Sequence, residues 1–99
     1  MLIGYARVST DDQDLTLQRT ALKEAGCRRV YEEKLSGARR DRPQLARLLD
    51  QVREGDVVVV YRLDRLARST RDLLEIAEQL RDTGAGLRSL SEPWARADA

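Results

Sequence analysis

The sequence predicts an α/β fold, a three-layer sandwich in which helices flank a mainly parallel sheet of four to five strands. Three observations support this prediction. Short apolar segments alternate with amphipathic segments of helical periodicity, and the connections between them are short. Residues 57–61 form an unbroken β-branched run closed by a tyrosine, which is typical of a strand covered on both faces. A chain of 99 residues fits one domain with one core.

The individual elements follow one another along the chain. Apolar runs predict strands at residues 2–8, 29–33, 57–61 and 87–90, with the run at 57–61 as the central strand. Aliphatic residues at helical spacing predict helices at about residues 14–25, 42–52 and 70–83. Residues 36–41 are polar and contain a glycine, which predicts an exposed, mobile loop.

The composition excludes several kinds of chemistry. The chain has no histidine and one cysteine, Cys27, which rules out Ser-His-Asp and Cys-His catalysis, His- or thiolate-based zinc sites and an internal disulfide. We expect Cys27 to be a buried apolar residue. Of the eighteen basic residues, all but Lys23 and Lys34 are arginine, whose planar fork suits bidentate phosphate contacts.

Charge and hydropathy predict a cytoplasmic protein with no membrane partner. The formal net charge is +1, so the bulk charge indicates neither a nucleic acid nor a membrane surface. No apolar run approaches eighteen residues, and the N-terminus lacks the charged-then-apolar layout of a signal peptide. We therefore expect a soluble protein in the cytoplasm.

Polar side chains follow the first predicted strand, where the crevice of a parallel sheet opens. Ser9 comes directly after this strand and Arg7 lies two residues earlier, so both point to one side if the pleat continues. One interpretation is a hydroxyl beside a fixed cation. The other is that Ser9 or Thr10 caps the next helix.

A second polar segment, residues 62–68, follows the predicted central strand and carries Asp64, Arg65 and Arg68. In helical geometry Arg65 and Arg68 are neighbours at i, i+3, and Asp64 reaches Arg68 at i, i+4. The plainer interpretation is a solvated, salt-bridged face. Such a face would not normally begin at the end of a buried strand, where side chains converge on the crevice.

Three further residues each have a functional and a structural interpretation. Gln18 interrupts the apolar stripe of the first helix, either to support the site or as a tolerated boundary residue. Arg42, at a helix start after the polar loop, either carries a phosphate or is solvated. Because that loop is expected to move, Arg42 should lie beyond reach of an anion shared with Ser9 in the free domain. Glu33 either lies beside the crevice or forms a surface ion pair.

Together these residues describe a site that attacks a phosphodiester without a metal. The candidate nucleophile is the hydroxyl of Ser9. Arg7, Arg42, Arg65 and Arg68 can neutralise the scissile phosphate and the charge that develops in an in-line displacement. Acidic residues and histidines form no cluster with metal-ligand spacing, so we expect neither a metal nor a cofactor.

These residues lie in motifs that resemble those of the serine recombinases, the resolvase/invertase family, and the resemblance spans nearly the whole chain. The motifs are Gly4-Tyr5-Ala6-Arg7-Val8-Ser9-Thr10, Leu17-Gln18, Ser36-Gly37, Asp41-Arg42-Pro43 and Leu63-Asp64-Arg65-Leu66-Ala67-Arg68. The resemblance implies a resolvase-like fold and site-specific breakage and rejoining of DNA. By this resemblance Ser9 becomes joined to a 5′ DNA phosphate, a 3′ hydroxyl is released, and the reaction reverses without a cofactor.

The resemblance also implies roles for the site residues and partners for the chain. The implied catalytic residues are Ser9, Arg7, Arg42, Asp64, Arg65, Arg68 and Gln18. The four arginines would hold the DNA phosphate, Asp64 would orient them or handle a proton, and Gln18 would support the site. Glu33, a further supporting residue, stands where many members carry aspartate. The implied partners are DNA and copies of the same chain, as a dimer on each site and a synaptic tetramer.

Members of this arrangement continue past Pro93-Trp94 into a long dimerisation helix and a helix-turn-helix domain, whereas this chain ends at Ala99. We therefore expect residues 1–99 to be the catalytic domain without those two elements. A nearly neutral domain should bind duplex DNA weakly, so DNA would be bound through the full-length protein. Little recombination activity is expected of these residues alone.

Two other functions stay open on the residues themselves. One is a phosphoacceptor signalling domain, because Asp11, Asp12 and Asp64 imitate its acidic pocket. That function needs a metal and a late lysine, and no lysine follows Lys34. The other is a non-catalytic interaction remnant, which would share the fold without needing the hydroxyl of Ser9.

Overall fold

The structure, a computed structural model, describes residues 1–9, 15–35, 42–92 and 96–97, leaving aside the side chains of residues 8, 9, 35, 96 and 97. The elements are β1 (Leu2–Ser9), α1 (Leu15–Glu24), β2 (Arg29–Leu35), α2 (Pro43–Gln51), β3 (Val57–Val60), a 3-10 turn (Leu63–Arg65), α3 (Thr70–Thr83), β4 (Gly86–Ser89) and β5 (Arg96–Ala97). The predicted strands and helices agree with these bounds to within two residues. The sequence did not locate β5, and the predicted loop at 36–41 lies outside the described residues.

The strands form one sheet in the order β2-β1-β3-β4-β5. The first four strands run parallel, and β5 runs antiparallel to β4. This topology confirms the predicted mainly parallel sheet, and β3 is its central strand as predicted. None of the described helices is both long and apolar enough to cross a membrane.

Two apolar clusters on opposite faces of the sheet make the fold a three-layer sandwich. Alternate side chains of β3 divide between them, because successive residues of a strand point to opposite faces. Val58 and Val60 pack with leucines and isoleucine of α2 and α3, namely Leu45, Leu48, Ile76 and Leu80. Val59 packs with Leu22 of α1 on the other face. The sheet is therefore covered by α1 on one side and by α2 and α3 on the other.

The segment after β3 is not the helix that would bring Asp64 to Arg68. Residues Leu63–Arg65 form a single 3-10 turn. The chain then leaves helical geometry, since Ser69 is extended (φ −153°, ψ 168°) and its Oγ accepts a hydrogen bond from the N–H of Asp72. Ser69 caps α3, and a residue with that conformation cannot continue a helix from the preceding turn. The helix considered for residues 64–68 is therefore not formed.

Candidate active site

The site lies at the carboxyl edge of the sheet, where β1 extends beyond its neighbour β3. Residues 3–9 of β1 pair with β2, whereas pairing with β3 stops at Tyr5, opposite Val60. Ser9 is the last residue of β1, and its side chain lies outside the described atoms. The described part of α1 starts at Leu15, and residues 10–14 lie outside the described residues, so the interpretation of Ser9 or Thr10 as a helix cap stays untested.

Gln18 of α1 replaces the missing strand beside Arg7. The carbonyl of Met1 accepts a hydrogen bond from the N–H of Val57, so odd-numbered residues of β1 direct their backbone groups toward β3. At Arg7, beyond the end of β3, the N–H donates to Oε1 of Gln18 (3.3 Å) and the carbonyl accepts from Nε2 (3.2 Å). Gln18 is fully buried, with 0% exposure. It is therefore no boundary residue, because its amide completes the β1 edge that carries Arg7.

The guanidinium of Arg7 extends from β1 to the segment after β3. Its Nη2 donates to the backbone carbonyl of Asp64. Burial lowers the pKa of Arg7, and the positive charges of Arg42, Arg68 and Arg65 lower it further. Arginine nevertheless stays charged at neutral pH. The four arginines singled out in the sequence thus lie close enough for the other three to repel the charge on Arg7.

The carboxylate of Asp64 does not make the contact suggested by its sequence position. Asp64 is exposed, and within the described part of the chain its carboxylate has no ion-pair partner. The 3-10 turn that carries Asp64 is held by Glu92 instead. Oε1 of Glu92 accepts hydrogen bonds from the N–H of Leu63 (2.8 Å) and from Oγ of Ser89 (2.9 Å). The backbone carbonyl of Asp64 therefore holds the guanidinium of Arg7, while the carboxylate of Asp64 is exposed at the same crevice.

Glu33 is a buried anchor between the sheet and α2. It is 3% exposed, which excludes the surface ion pair considered for it. Its Oε1 accepts from the hydroxyl of Tyr5 (3.2 Å) and from the N–H groups of Gln44 (3.0 Å) and Leu45 (3.1 Å). Free N–H groups at a helix start favour a negative charge, so this carboxylate fixes α2 to the sheet. Burial and Glu33 also raise the pKa of Tyr5 above its ordinary value.

Arg42, directly before α2, is held in place by several contacts and is not freely solvated. Its Nη1 and Nη2 donate to Oδ2 (2.8 Å) and Oδ1 (2.7 Å) of Asp72, and Nη1 also donates to the carbonyl of Leu66 (3.0 Å). Oδ2 of Asp72 further accepts from the N–H of Arg68 (2.9 Å). Because the side chain of Ser9 is outside the described atoms, the separation of Ser9 from Arg42 stays a prediction.

Sequence reasoning missed three residues that organise this edge: Tyr5, Asp72 and Glu92. The motif Ser69-x-x-Asp72 could have drawn attention to Asp72, since a serine followed three residues later by an acidic residue marks a helix start. No comparable local signal marks Tyr5 or Glu92, whose partners lie far away in the sequence.

Cys27 and the acidic residues remain to be considered in the described part of the chain. Cys27 is only partly buried and packs against the cluster under α1, and burial raises the pKa of its thiol to about 11. Among the described residues, no group of three His, Cys, Asp or Glu side chains could hold a metal ion. The guanidiniums at this edge have the chemistry to bind and neutralise an anion such as a phosphate.

The mainly parallel sheet with helices on both faces, and arginines from three segments near its carboxyl edge, define an α/β domain whose class the comparisons identify. The family Resolvase, N terminal domain, matches residues 2–99. This chain belongs to that resolvase family, which excludes the phosphoacceptor alternative. The serine recombinase Gin of Escherichia phage Mu is 52% identical over 92 residues, covering 93% of this chain and 48% of that protein.

Two further relatives agree with this assignment. The Tn917 resolvase of Enterococcus faecalis is 47% identical over 92 residues, covering 93% of this chain and 50% of that protein. The catalytic domain of ISC1926 TnpA, an IS607-like serine recombinase, superposes with a TM-score of 0.74 at 27% identity, covering 90% of this chain and 66% of that one. The chain spans about half the length of the curated relatives that it matches.

Proposed function

We propose that this chain is the catalytic domain of a site-specific DNA recombinase and that Ser9 is its nucleophile. The Oγ of Ser9 attacks a DNA phosphorus, so an Oγ–P bond forms and the P–O3′ bond breaks. The hydroxyl loses its proton, and the departing O3′ gains one to become a 3′ hydroxyl. One phosphoester replaces another, so rejoining is the reverse attack by a 3′ hydroxyl and needs no cofactor.

The observation that carries the proposal is that the segments bearing Arg7, Arg42, Arg65 and Arg68 meet at the edge where β1 ends in Ser9. Arg7 donates to the carbonyl of Asp64, Arg42 donates to the carbonyl of Leu66, and Asp72 joins Arg42 to the N–H of Arg68. These arginines come from three separate segments, and the positive charges of the other three repel that of Arg7, which an anion bound at that edge would relieve. Preorganised positive charge stabilises the additional negative charge of an in-line displacement, which is commonly the largest contribution to such catalysis. In the proposal the four arginines hold the phosphate, and Asp64 handles a proton or orients them.

Gln18 and Glu33 support the site in this proposal without touching DNA. Gln18 fixes the backbone of Arg7, and Glu33 fixes the start of α2 next to Arg42. Both act by filling backbone hydrogen-bonding positions that no neighbouring strand or turn fills.

The proposal extends to partners and location. Residues 1–99 would be the catalytic part of a DNA-acting enzyme of the cytoplasm, and recognition of the DNA sequence would lie outside the matched half of the relatives. We also propose that the enzyme works as a homo-oligomer, a dimer on each site and a tetramer when two sites are joined. The domain by itself would then cleave weakly and recombine little, because a nearly neutral surface binds DNA weakly.

The proposal is tested by detecting a covalent protein–DNA adduct and by identifying which piece of the cleaved strand it contains. The chain is incubated with nicked duplexes labelled at either the 3′ or the 5′ end of the cleaved strand, and the products are separated on a denaturing gel. The 3′-labelled piece should migrate with the protein, and the 5′-labelled piece should end in a hydroxyl that a polymerase extends. Ser9→Ala should abolish the adduct, whereas Ser91→Ala, an exposed serine beyond β4, should leave it unchanged.

The same experiment separates the catalytic domain from the interaction remnant. A remnant would give no adduct with any duplex while keeping the fold. An adduct that persists in Ser9→Ala would overturn the assignment of the nucleophile, and recombination of a two-site plasmid by residues 1–99 alone would overturn the expectation of low activity.

A further inference from the structure

Asp72 is the acidic residue most closely tied to the arginine group, and neither the motifs nor the family resemblance drew attention to it. It lies in the first turn of α3, and its carboxylate contacts two segments at once. Its two oxygens accept a bidentate pair of hydrogen bonds from the guanidinium of Arg42, and Oδ2 also accepts one from the backbone N–H of Arg68. The segments that carry these two arginines, before α2 and before α3, therefore share one carboxylate.

We propose that Asp72 is a positioning residue that orients Arg42 so that the other edge of its guanidinium binds the phosphate. The inference rests on the proposed function, since it assigns to Arg42 the phosphate that the arginine group would hold. Asp72 itself does not touch the phosphate. It acts through Arg42 and through the backbone of Arg68.

The count of hydrogen-bond donors on Arg42 supports an orienting role. A guanidinium has five N–H groups: two on Nη1, two on Nη2 and one on Nε. The bonds to Asp72 and to the carbonyl of Leu66 use both groups on Nη1 and one on Nη2. Among the described residues, the Nε–H and the second Nη2–H have no acceptor. These two donors form the second edge of the guanidinium, whose spacing matches two phosphate oxygens.

Burial distinguishes this ion pair from an ordinary surface pair. The side chains of Arg42 and Asp72 are 17% and 18% exposed, whereas those of Arg71 and Glu75, a pair on the same helix, are 91% and 62% exposed. A bidentate pair sheltered from water fixes both side chains, while an exposed pair constrains neither. The carboxylate also raises the pKa of Arg42, and the guanidinium lowers the pKa of Asp72.

The opposite role for Asp72 is that of a competitor that occupies Arg42 until DNA arrives. A competitor would occupy the donors that the phosphate needs, and removing it would strengthen phosphate binding. The geometry favours the orienting role, because one complete edge of Arg42 remains available while the fork is formed. The two roles predict changes of opposite sign, so one titration separates them.

The test is a titration of the chain with inorganic phosphate, followed through the 15Nε–H resonance of Arg42. The variant is Asp72→Asn, which keeps the shape and removes the charge, and the matched control is Glu75→Gln, which removes the same charge from an exposed site on α3. We expect phosphate to shift the Arg42 resonance in the unchanged chain. Asp72→Asn should weaken the apparent affinity roughly tenfold, the equivalent of one lost charge-assisted contact, and Glu75→Gln should change it less than about twofold.

A double variant shows whether Asp72 acts through Arg42. In the background of Arg42→Ala, with phosphate binding followed at Arg68, Asp72→Asn should produce little additional loss if Arg42 transmits the effect. A purely structural role would lower affinity in both backgrounds. Unchanged or tighter binding by Asp72→Asn, an undiminished second loss in the double variant, or no shift at Arg42 in the unchanged chain would each overturn the proposal.

Failure of this inference and failure of the proposed function are distinguishable. Phosphate titration needs no cleavage, and adduct formation at Ser9 needs no titration. If the adduct forms and Asp72→Asn leaves phosphate binding unaltered, only the proposed positioning role of Asp72 is contradicted. If Asp72→Asn weakens phosphate binding but no adduct forms, the recombinase proposal is contradicted and the positioning role of Asp72 is supported.

Discussion

The interior of the sheet and its carboxyl edge satisfy their backbone groups in different ways. In the interior, β1 lies between β2 and β3, and strand pairing supplies the hydrogen bonds while aliphatic side chains fill both faces. At the edge, β3 has ended, and polar side chains take over: Gln18 bonds to Arg7, Glu33 to the start of α2 and Asp72 to Arg68. Arg7, Arg42 and Arg68 are therefore held by residues that need not take part in the chemistry.

Adjacent glutamates of β2 offer the strongest test of this difference. Glu33→Ala should lower the free energy of unfolding by about 3 kcal/mol or more, because Tyr5 and two N–H groups of α2 lose a buried charged acceptor. Glu32→Ala, on the same strand, removes only a surface pair with Arg19 and should cost less than about 1 kcal/mol. Urea unfolding followed by circular dichroism measures both values, and equal losses would contradict the anchoring role of Glu33.

The interior was predictable because its signal is local. The valine run of β3 and the leucine spacing of α3 depend on neighbours in the sequence, so β3 was identified as the central strand and the bounds of α3 were predicted to the residue. Strand ends also indicated where Arg7, Arg65 and Arg68 would gather, since the carboxyl ends of parallel strands meet at one edge.

The contacts that hold the edge together were not predictable in the same way. Glu33 bonds to Gln44 eleven residues later, and Arg42 bonds to Asp72 across thirty residues. Such contacts depend on how α2 and α3 dock on the sheet, which no periodicity specifies. The backbone carbonyl of Asp64, which accepts the hydrogen bond from Arg7, could not be predicted from the sequence either, because every residue has a backbone carbonyl whatever its side chain.

Gln18→Leu is expected to lower the free energy of unfolding by an intermediate amount. Leucine fills a similar volume, so the loss comes from the N–H and carbonyl of Arg7, which would have no partner in place of the amide. The free energy of unfolding should fall by about 2 kcal/mol. Amide hydrogen exchange locates the effect: Arg7 should lose protection beyond this global loss, whereas Ile3, in the paired part of β1, should follow global stability alone. Equal changes at both amides would refute the role of Gln18 as a strand substitute.

Asp72→Asn should give the smallest loss of stability and one that depends on pH. The pKa of Asp72 in the folded chain lies below its ordinary value of 3.8, so its stabilising effect is present above that value and is lost as the pH falls through the lower, folded pKa. At pH 7 the variant should be less stable by about 1.5 kcal/mol, and the difference should shrink as the pH falls below 3.8 and through the lower, folded pKa. Unfolding curves recorded from pH 7 to pH 2.5 measure it, and a difference independent of pH would show that charge pairing is not its origin.

The central claim, that Ser9 is the nucleophile at an arginine-lined edge, is tested most directly by mapping the site of covalent attachment. Trypsin cleaves after Arg7 and Arg19, so the DNA adduct, trimmed by nuclease, yields residues 8–19 with three hydroxyls, those of Ser9, Thr10 and Thr16. Fragmentation of this peptide by mass spectrometry should place the nucleotide, attached through its 5′ phosphate, on Ser9. Attachment to Thr10, to Thr16 or to any other peptide would contradict the account.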